Sequence, residues 1–361
     1  MDDVARAAAW AALASAGLAT PVAVALLRAF GTPQHVLDAS RASVEAVAGR
    51  AAAERLDARD ASHDASTAAW LGEPGHTLVA WGDADYPRQL LEIPDPPLAL
   101  FALGRLALLA RPAIAIVGSR QATPQGVEDA YAFARILAEA GLTVVSGLAQ
   151  GIDAAAHRGA LDTPASTIAV TGTGPDRVYP ASHRDLAHAI VARGALVTEF
   201  APGTPPLKEN FPRRNRLIAG LARGVLVVEA APGSGSLITA RLAVEQGRDV
   251  FAIPGSIHSP LSKGPHRLIR DGAKLVETAQ DVLVELGVAG ARAAQGERAP
   301  AAPDDPAQAR VLDAMGRGPV DLDRLVTRTG LAADALAATL VLLELDGRVA
   351  ALPGGGWERR R

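Results

Sequence analysis

The stretch AIAIVGSRQATPQGVEDAYAFARILAEAGLTVVSGLAQGIDAAAHRGAL, residues 113–161, decides the fold. It opens on five apolar residues without polar alternation, turns at Gly118, Ser119 and Arg120, and shows a helical pattern over 127–140. A second apolar run at 142–145 is followed by Ser146 and Gly147, then by Gly151, Ile152 and Asp153 leading into a helical pattern over 152–161. Strands apolar on both faces must be covered on both faces, and strands separated by helices run parallel. The unit repeats outward: apolar runs at 167–171, 195–198, 225–229, 250–253 and 274–276 alternate with helical patterns such as 183–193 and 237–246. The expectation is an α/β fold, a Rossmann-like doubly wound, mostly parallel sheet over residues 112–287.

The flanks read differently. Residues 1–75 form a small helical domain: a first helix stops at Gly17, and Thr20 with Pro21, then Thr32 with Pro33, each pair a capping residue with a proline at the first helical position. The span 43–71 also reads as helical. Residues 7–27 carry no charge, but Gly17 and Pro21 interrupt them and Asp2 and Asp3 precede them, which favours two packed helices over a membrane span or signal peptide. The segment 76–111 reads as a lead-in that packs on the core, with an apolar run at 77–81 followed by Asp83, Asp85, Tyr86 and several prolines. A Gly-, Ala- and Pro-rich linker is expected at 288–306, and 307–361 gives three helices and two strands, a winged-helix-like domain. Its expected recognition helix carries Asp334, Glu344 and Asp346 and no Lys or Arg, so protein contact is as good a reading there as DNA binding.

Composition narrows the chemistry. An apolar share of 49 % and a charged share of 21 % over 361 residues describe a folded chain with a large core. The absence of cysteine removes thiolate zinc sites, disulfides and Cys nucleophiles together, and suits a reducing cytoplasm. The net charge is −3, so the run from Gly203 to Arg223, with Lys208, Arg213, Arg214, Arg216 and Arg223 against Glu209 alone, is a local basic concentration. Phe211 sits among those cations. Two readings are open on the run itself: a solvated helix face, or a strip for unpaired nucleic acid in which cations follow phosphates while a ring stacks on a base.

Nearly every strand of the central domain ends in small residues: Gly118 and Ser119, Gly147 and Gly151, Gly172 and Gly174, then Gly233, Ser234, Gly235 and Ser236. Ligands of open α/β sheets bind outside those strand ends, where glycine allows close approach and helix N-termini attract phosphate. The first loop lacks Gly-x-Gly-x-x-Gly, the second strand ends in Ser146 instead of an acid, and no Gly-Lys-Ser/Thr occurs, which argues against dinucleotide and Walker-type sites. Arg120 either projects a cation into this lip or forms an internal salt bridge with Glu199 or Glu229. Asp153 and His157 are one helical turn apart; without a third ligand they read as a brace, not a metal site. Glu199, Glu229 and Glu245 read as structural acids or as general acid–base candidates.

Taken in order, these strings resemble the DNA-processing protein A (DprA/Smf) family. They are Gly118–Ser119–Arg120, residues 146–153 with Ala156 and His157, Tyr179–Pro180 with His183–Arg184, residues 211–216, residues 234–240, Glu245–Gln246–Gly247–Arg248 and Pro254–Gly255. The resemblance implies a cytoplasmic, dimeric, single-stranded DNA-binding protein without enzymatic turnover. It would use no cofactor or metal and make no membrane contact. Such proteins protect incoming DNA in natural transformation and help load the RecA recombinase onto it. The DNA contacts so implied fall on Arg120, Lys208, Phe211, Arg214, Asn215 and Arg216, with Ser119 and Arg213 in the same motifs. The alternative is a Rossmann-like enzyme that releases bases from nucleotide monophosphates, with residues 232–236 as phosphate loop and Glu245 as the nearest base.

Overall fold

The computed structural model describes residues 3–288, 305–316, 318–352 and 355–360. Six helices come first: α1 (Asp3–Ser15), α2 (Thr20–Phe30), α3 (Pro33–Asp38), α4 (Arg41–Ala48), α5 (Arg50–Asp57) and α6 (Ala61–Leu71). The 43–71 span is helical in pieces because Gly49, at φ +82°, turns the chain between α4 and α5. Thr32 caps α3 as expected, accepting from the His35 N–H at 3.2 Å. Thr20 does not cap α2: Ala19 holds the N-cap position, and the Thr20 hydroxyl, one residue into the helix, donates to Asp95 at 2.7 Å.

The segment after Gly75 does more than pack on the core. Strands β1 (His76–Ala80) and β2 (Ala99–Gly104) pair antiparallel, and β2 pairs antiparallel with a strand of the main sheet. One face of this ribbon carries Leu78, Ala99 and Phe101 into the same apolar cluster as Trp10, Leu13, Leu26 and Trp70, so the N-terminal helices rest on the sheet edge.

The Rossmann-like unit then runs β3 (Ala113–Val117), α7 (Pro124–Glu139), β4 (Thr143–Ser146), α8 (Ile152–Leu161), β5 (Thr167–Val170), α9 (Arg184–Arg193), β6 (Ala195–Thr198), α10 (Asn210–Leu221), β7 (Gly224–Val227), α11 (Gly235–Glu245), β8 (Asp249–Ala252), α12 (Lys263–Arg270), β9 (Lys274–Leu275) and α13 (Ala279–Glu285). Among the described residues nine strands form one sheet in the order β1-β2-β6-β5-β4-β3-β7-β8-β9, parallel from β6 to β9. The alternation in β3 shows why its sequence is uniformly apolar. Ala113, Ala115 and Val117 face the cluster built with α10 and α11, while Ile114 and Ile116 face the cluster built with α7 and α8. Chain order reverses between β3 and β7, which opens a crevice at the C-terminal ends of those strands and their neighbours.

The C-terminal unit contains α14 (Pro306–Met315), β10 (Val320–Asp321), α15 (Leu322–Thr329), α16 (Ala333–Leu345), β11 (Val349–Ala351) and β12 (Gly356–Arg359). Helices α15 and α16 meet at 107° and the strands pair antiparallel in the order β10-β12-β11, a winged helix-turn-helix. The linker expected at 288–306 falls largely on residues 289–304, outside the described residues. No single described helix is long and apolar enough to cross a membrane.

Candidate functional site

The loop after β3 is built to present one cation. A Cβ at Gly118 would lie 2.5 Å from Ile152 and 2.9 Å from the Glu229 carbonyl, so only glycine fits. The Ser119 N–H donates to that carbonyl at 2.7 Å, and the Glu229 carboxylate accepts from the Thr123 N–H and hydroxyl at 2.9 and 2.7 Å. Glu229 is thus occupied in holding the loop and the start of α7, and burial raises its pKa. Arg120 leaves this rigid frame exposed, with no carboxylate partner among the described residues, and its guanidinium lies 5.7 Å from the centroid of Phe211. The internal salt bridge to Glu199 or Glu229 is not formed.

The second loop, after β4, is held from below. Asp153 accepts from the N–H groups of Gly147 and Ala149 at 3.0 and 3.3 Å. His157 accepts from the Leu148 N–H at 3.2 Å and meets the Thr167 hydroxyl at 2.7 Å, while His183 holds the Leu148 carbonyl at 2.9 Å. These contacts keep Leu148 at φ +58°, an unusual conformation for a side chain of its size. Burial pushes His157 down to about 3, so it is a neutral brace, as the sequence suggested. Asp153 moves upward through burial, opposed chiefly by Arg214.

Helix α10 supplies the rest, and its periodicity sorts the basic run. Phe211, at its first turn, packs on Gly172 and lies 5.5 Å from the Tyr179 ring. Arg214, three residues on and on the same face, runs under the second loop and donates to the carbonyls of Gly147 at 2.7 Å and of Val170. A Cβ at Gly147 would collide with that guanidinium at 2.3 Å. Burial lowers Arg214 to about 10, which leaves it cationic at neutral pH. Arg120, Gly147, Ala149, Gln150, Tyr179, Pro180, Phe211 and Arg214 line a cavity of about 120 Å³. Lys208, exposed just before α10, adds a second cation with no partner among the described residues.

The other expected contacts lie elsewhere. Arg213 and Arg216 both turn to Glu199, and Arg216 also pairs with Asp95 at 3.3 Å, so its side chain is only 11 % exposed. Asn215 is buried and donates to the Gly235 carbonyl at 3.4 Å. Direct contact with a ligand is therefore not open to Asn215 or Arg216 in this arrangement, and Arg214 is a cationic floor instead of a free arm. Ser119 is buried and uses its hydroxyl on the Gln121 N–H at 3.1 Å. Among the expected phosphate loops, Gly118, Gly147, Gly151 and Gly172 serve close approaches around the cavity, and Gly174 packs on Ala201. Gly233 and Ser234 end the β7–α11 connection, Gly235 and Ser236 open α11, and none of the four lines the cavity; Ser234 caps α11. Glu245 is paired with Arg241 at the opposite end of α11, about 15 Å from that loop by helical rise, which removes it as a base for the phosphate-loop alternative.

Sequence reasoning gave no role to Ala149, Gln150 or Tyr179 beyond their place in the motif strings. The signal lay in the motif itself: Leu148 in a left-handed turn throws the two following residues toward the lip.

Fold and site together define a doubly wound α/β protein with a small, cationic, aromatic-walled cavity at its ligand edge and an appended winged helix. The chain belongs to the DNA recombination-mediator protein A family, whose sequence model matches residues 77–287, and the DprA winged helix domain matches residues 295–355. It is 40 % identical to protein Smf of Escherichia coli K12 over 82 % of this chain and 81 % of that protein. It is 52 % identical to the DNA processing protein DprA of Streptococcus pneumoniae over 56 % and 72 % of the two chains. The X-ray structure of the S. pneumoniae protein superposes with a TM-score of 0.67 at 42 % identity, covering 76 % of this chain and 95 % of that one. DNA processing protein A of Helicobacter pylori, studied for its single-stranded DNA binding mode, gives 0.53 at 30 % identity, covering 58 % and 95 %.

Proposed function

We propose that the protein binds single-stranded DNA at the Arg120–Phe211 cavity, with a base against the Phe211 and Tyr179 rings and phosphates on Arg120 and Lys208. The observation that carries this reading is the unpaired Arg120 beside an accessible ring at the C-terminal edge of the sheet, above the buried Arg214. Cations that follow the backbone and a ring that takes any base are the elements of sequence-tolerant binding to unpaired strands. The H. pylori relative, studied for its single-stranded DNA binding mode, supports single-stranded DNA as the ligand. Family membership supports the wider role: a cytoplasmic homodimer that shields incoming DNA during transformation and helps load RecA recombinase, without turnover of its own.

Salt titration tests the site. In fluorescence anisotropy with a labelled oligonucleotide, Arg120→Ala and Lys208→Ala should each flatten the slope of log K against log salt by about 0.7, as one lost phosphate contact to a single strand requires. Slopes equal to that of the parent in both variants would remove these residues from the interface.

A further inference from the structure

Strand β12 of the winged unit delivers Glu358 onto the first turn of α7. The side chain is 5 % exposed, its carboxyl accepts from the Gln125 N–H, and Oε2 is buried without a hydrogen-bond partner. Facing it are Glu229 from the end of β7 and Glu128 and Asp129 from α7. Arg360, just past the end of β12 and on the same face as Glu358, is the cation nearest this group, and it pairs with Glu128 at 3.1 Å. An ionised carboxylate in this place would be desolvated, surrounded by like charge and short of donors; a protonated acid fits. Burial first, and those three acids after it, push Glu358 up to about 7. The contact also bears on the lip, because Glu229 is the residue whose carbonyl and carboxylate hold the loop that carries Arg120.

We propose that Glu358 is a proton-dependent latch, which holds the winged unit on α7 beside the lip and lets it go when the carboxyl ionises. The proposal does not depend on what the lip binds. Docked, the group titrates near 7; released into water, it returns to its ordinary 4.5. Docking therefore takes up a proton between those values. The docked state is fully favoured below that window and weakens about tenfold per pH unit as pH rises through it, levelling off above 7 where both states are ionised.

The chain has no cysteine, so an engineered pair reports docking cleanly. A Cβ at Gly318, just before β10, would lie 3.5 Å from the Ser256 Cβ after β8, within the range of a disulfide. The test measures the cross-linking equilibrium of a Ser256→Cys, Gly318→Cys chain in glutathione buffers from pH 5 to 8, with Glu358 and with Glu358→Gln. Thiol chemistry is common to both, so the ratio of the two constants isolates the carboxyl. The ratio should rise about fortyfold in favour of Glu358→Gln between pH 5 and 7. Identical pH profiles would overturn the latch. Small-angle X-ray scattering of the unsubstituted chain should show a larger radius of gyration at pH 8 than at pH 5; a constant radius overturns it whatever the cross-link shows.

Discussion

Arg216→Ala is expected to lower the stability of the protein by about 3 kcal/mol, the lower end for breaking a buried ion pair, while the folded variant keeps the single-strand affinity of the parent. The side chains of Arg216 and Glu199 are 11 % and 5 % exposed, and the pair links α10 to Asp95, which Thr20 of α2 also engages. Removing the cation leaves Glu199 buried, with Arg213 at 3.2 Å as its remaining partner; that is why the effect stays at the lower end. The pKa of Glu199 is already raised by burial, with Arg216 the strongest opposing influence, so its loss moves the carboxyl further up. A carboxyl whose folded value lies above its unfolded value destabilises the fold as pH rises between the two. The deficit should accordingly be smaller at pH 5 than at pH 8 in chemical denaturation, and adding Glu199→Gln should recover part of it. A variant as stable as the parent but weak in DNA binding would return Arg216 to the interface.

Phe211→Ala should weaken oligonucleotide binding by about 1–3 kcal/mol, roughly 5- to 150-fold, with the salt slope unchanged. The ring carries no charge, so its removal takes away stacking and leaves the phosphate contacts intact. Phe211→Leu separates stacking from packing. Leucine fills the space against Gly172 but offers no face to a base, so it should bind nearly as weakly as alanine while unfolding like the parent. Phe211→Trp should bind at least as well as the parent if its larger ring is accommodated beside Tyr179. Parental affinity in Phe211→Leu would show that the ring is only packing.

The two variants lie five residues apart in one basic run, and only the helix separates their roles. At about 100° per residue, Phe211 and Arg214 share the face toward the lip, while Arg213 and Arg216 share the face toward Glu199. A linear reading counts five cations and treats them alike. Arg120 and Phe211 stand out in it only by loop position and as a ring among cations, which are local features. Strand β2 was missed for a related reason: it pairs with β6, about ninety residues away, and its neighbouring prolines read as loop.

The sequence by itself determined the parallel sheet, its glycine-rich C-terminal edge, the winged unit and, through the absence of cysteine, the exclusion of thiol chemistry. Each rests on patterns complete within a few dozen residues, such as the two-faced apolar run of β3 followed by Gly118. The tertiary structure alone decided which charges remain available. Glu199 and Asp95 neutralise Arg216, Thr123 engages Glu229, two carbonyls hold Arg214, and α7 buries Glu358. A charge acquires its role from whatever opposes it across the fold, and those partners lie up to 233 positions away in the chain, from Gln125 to Glu358.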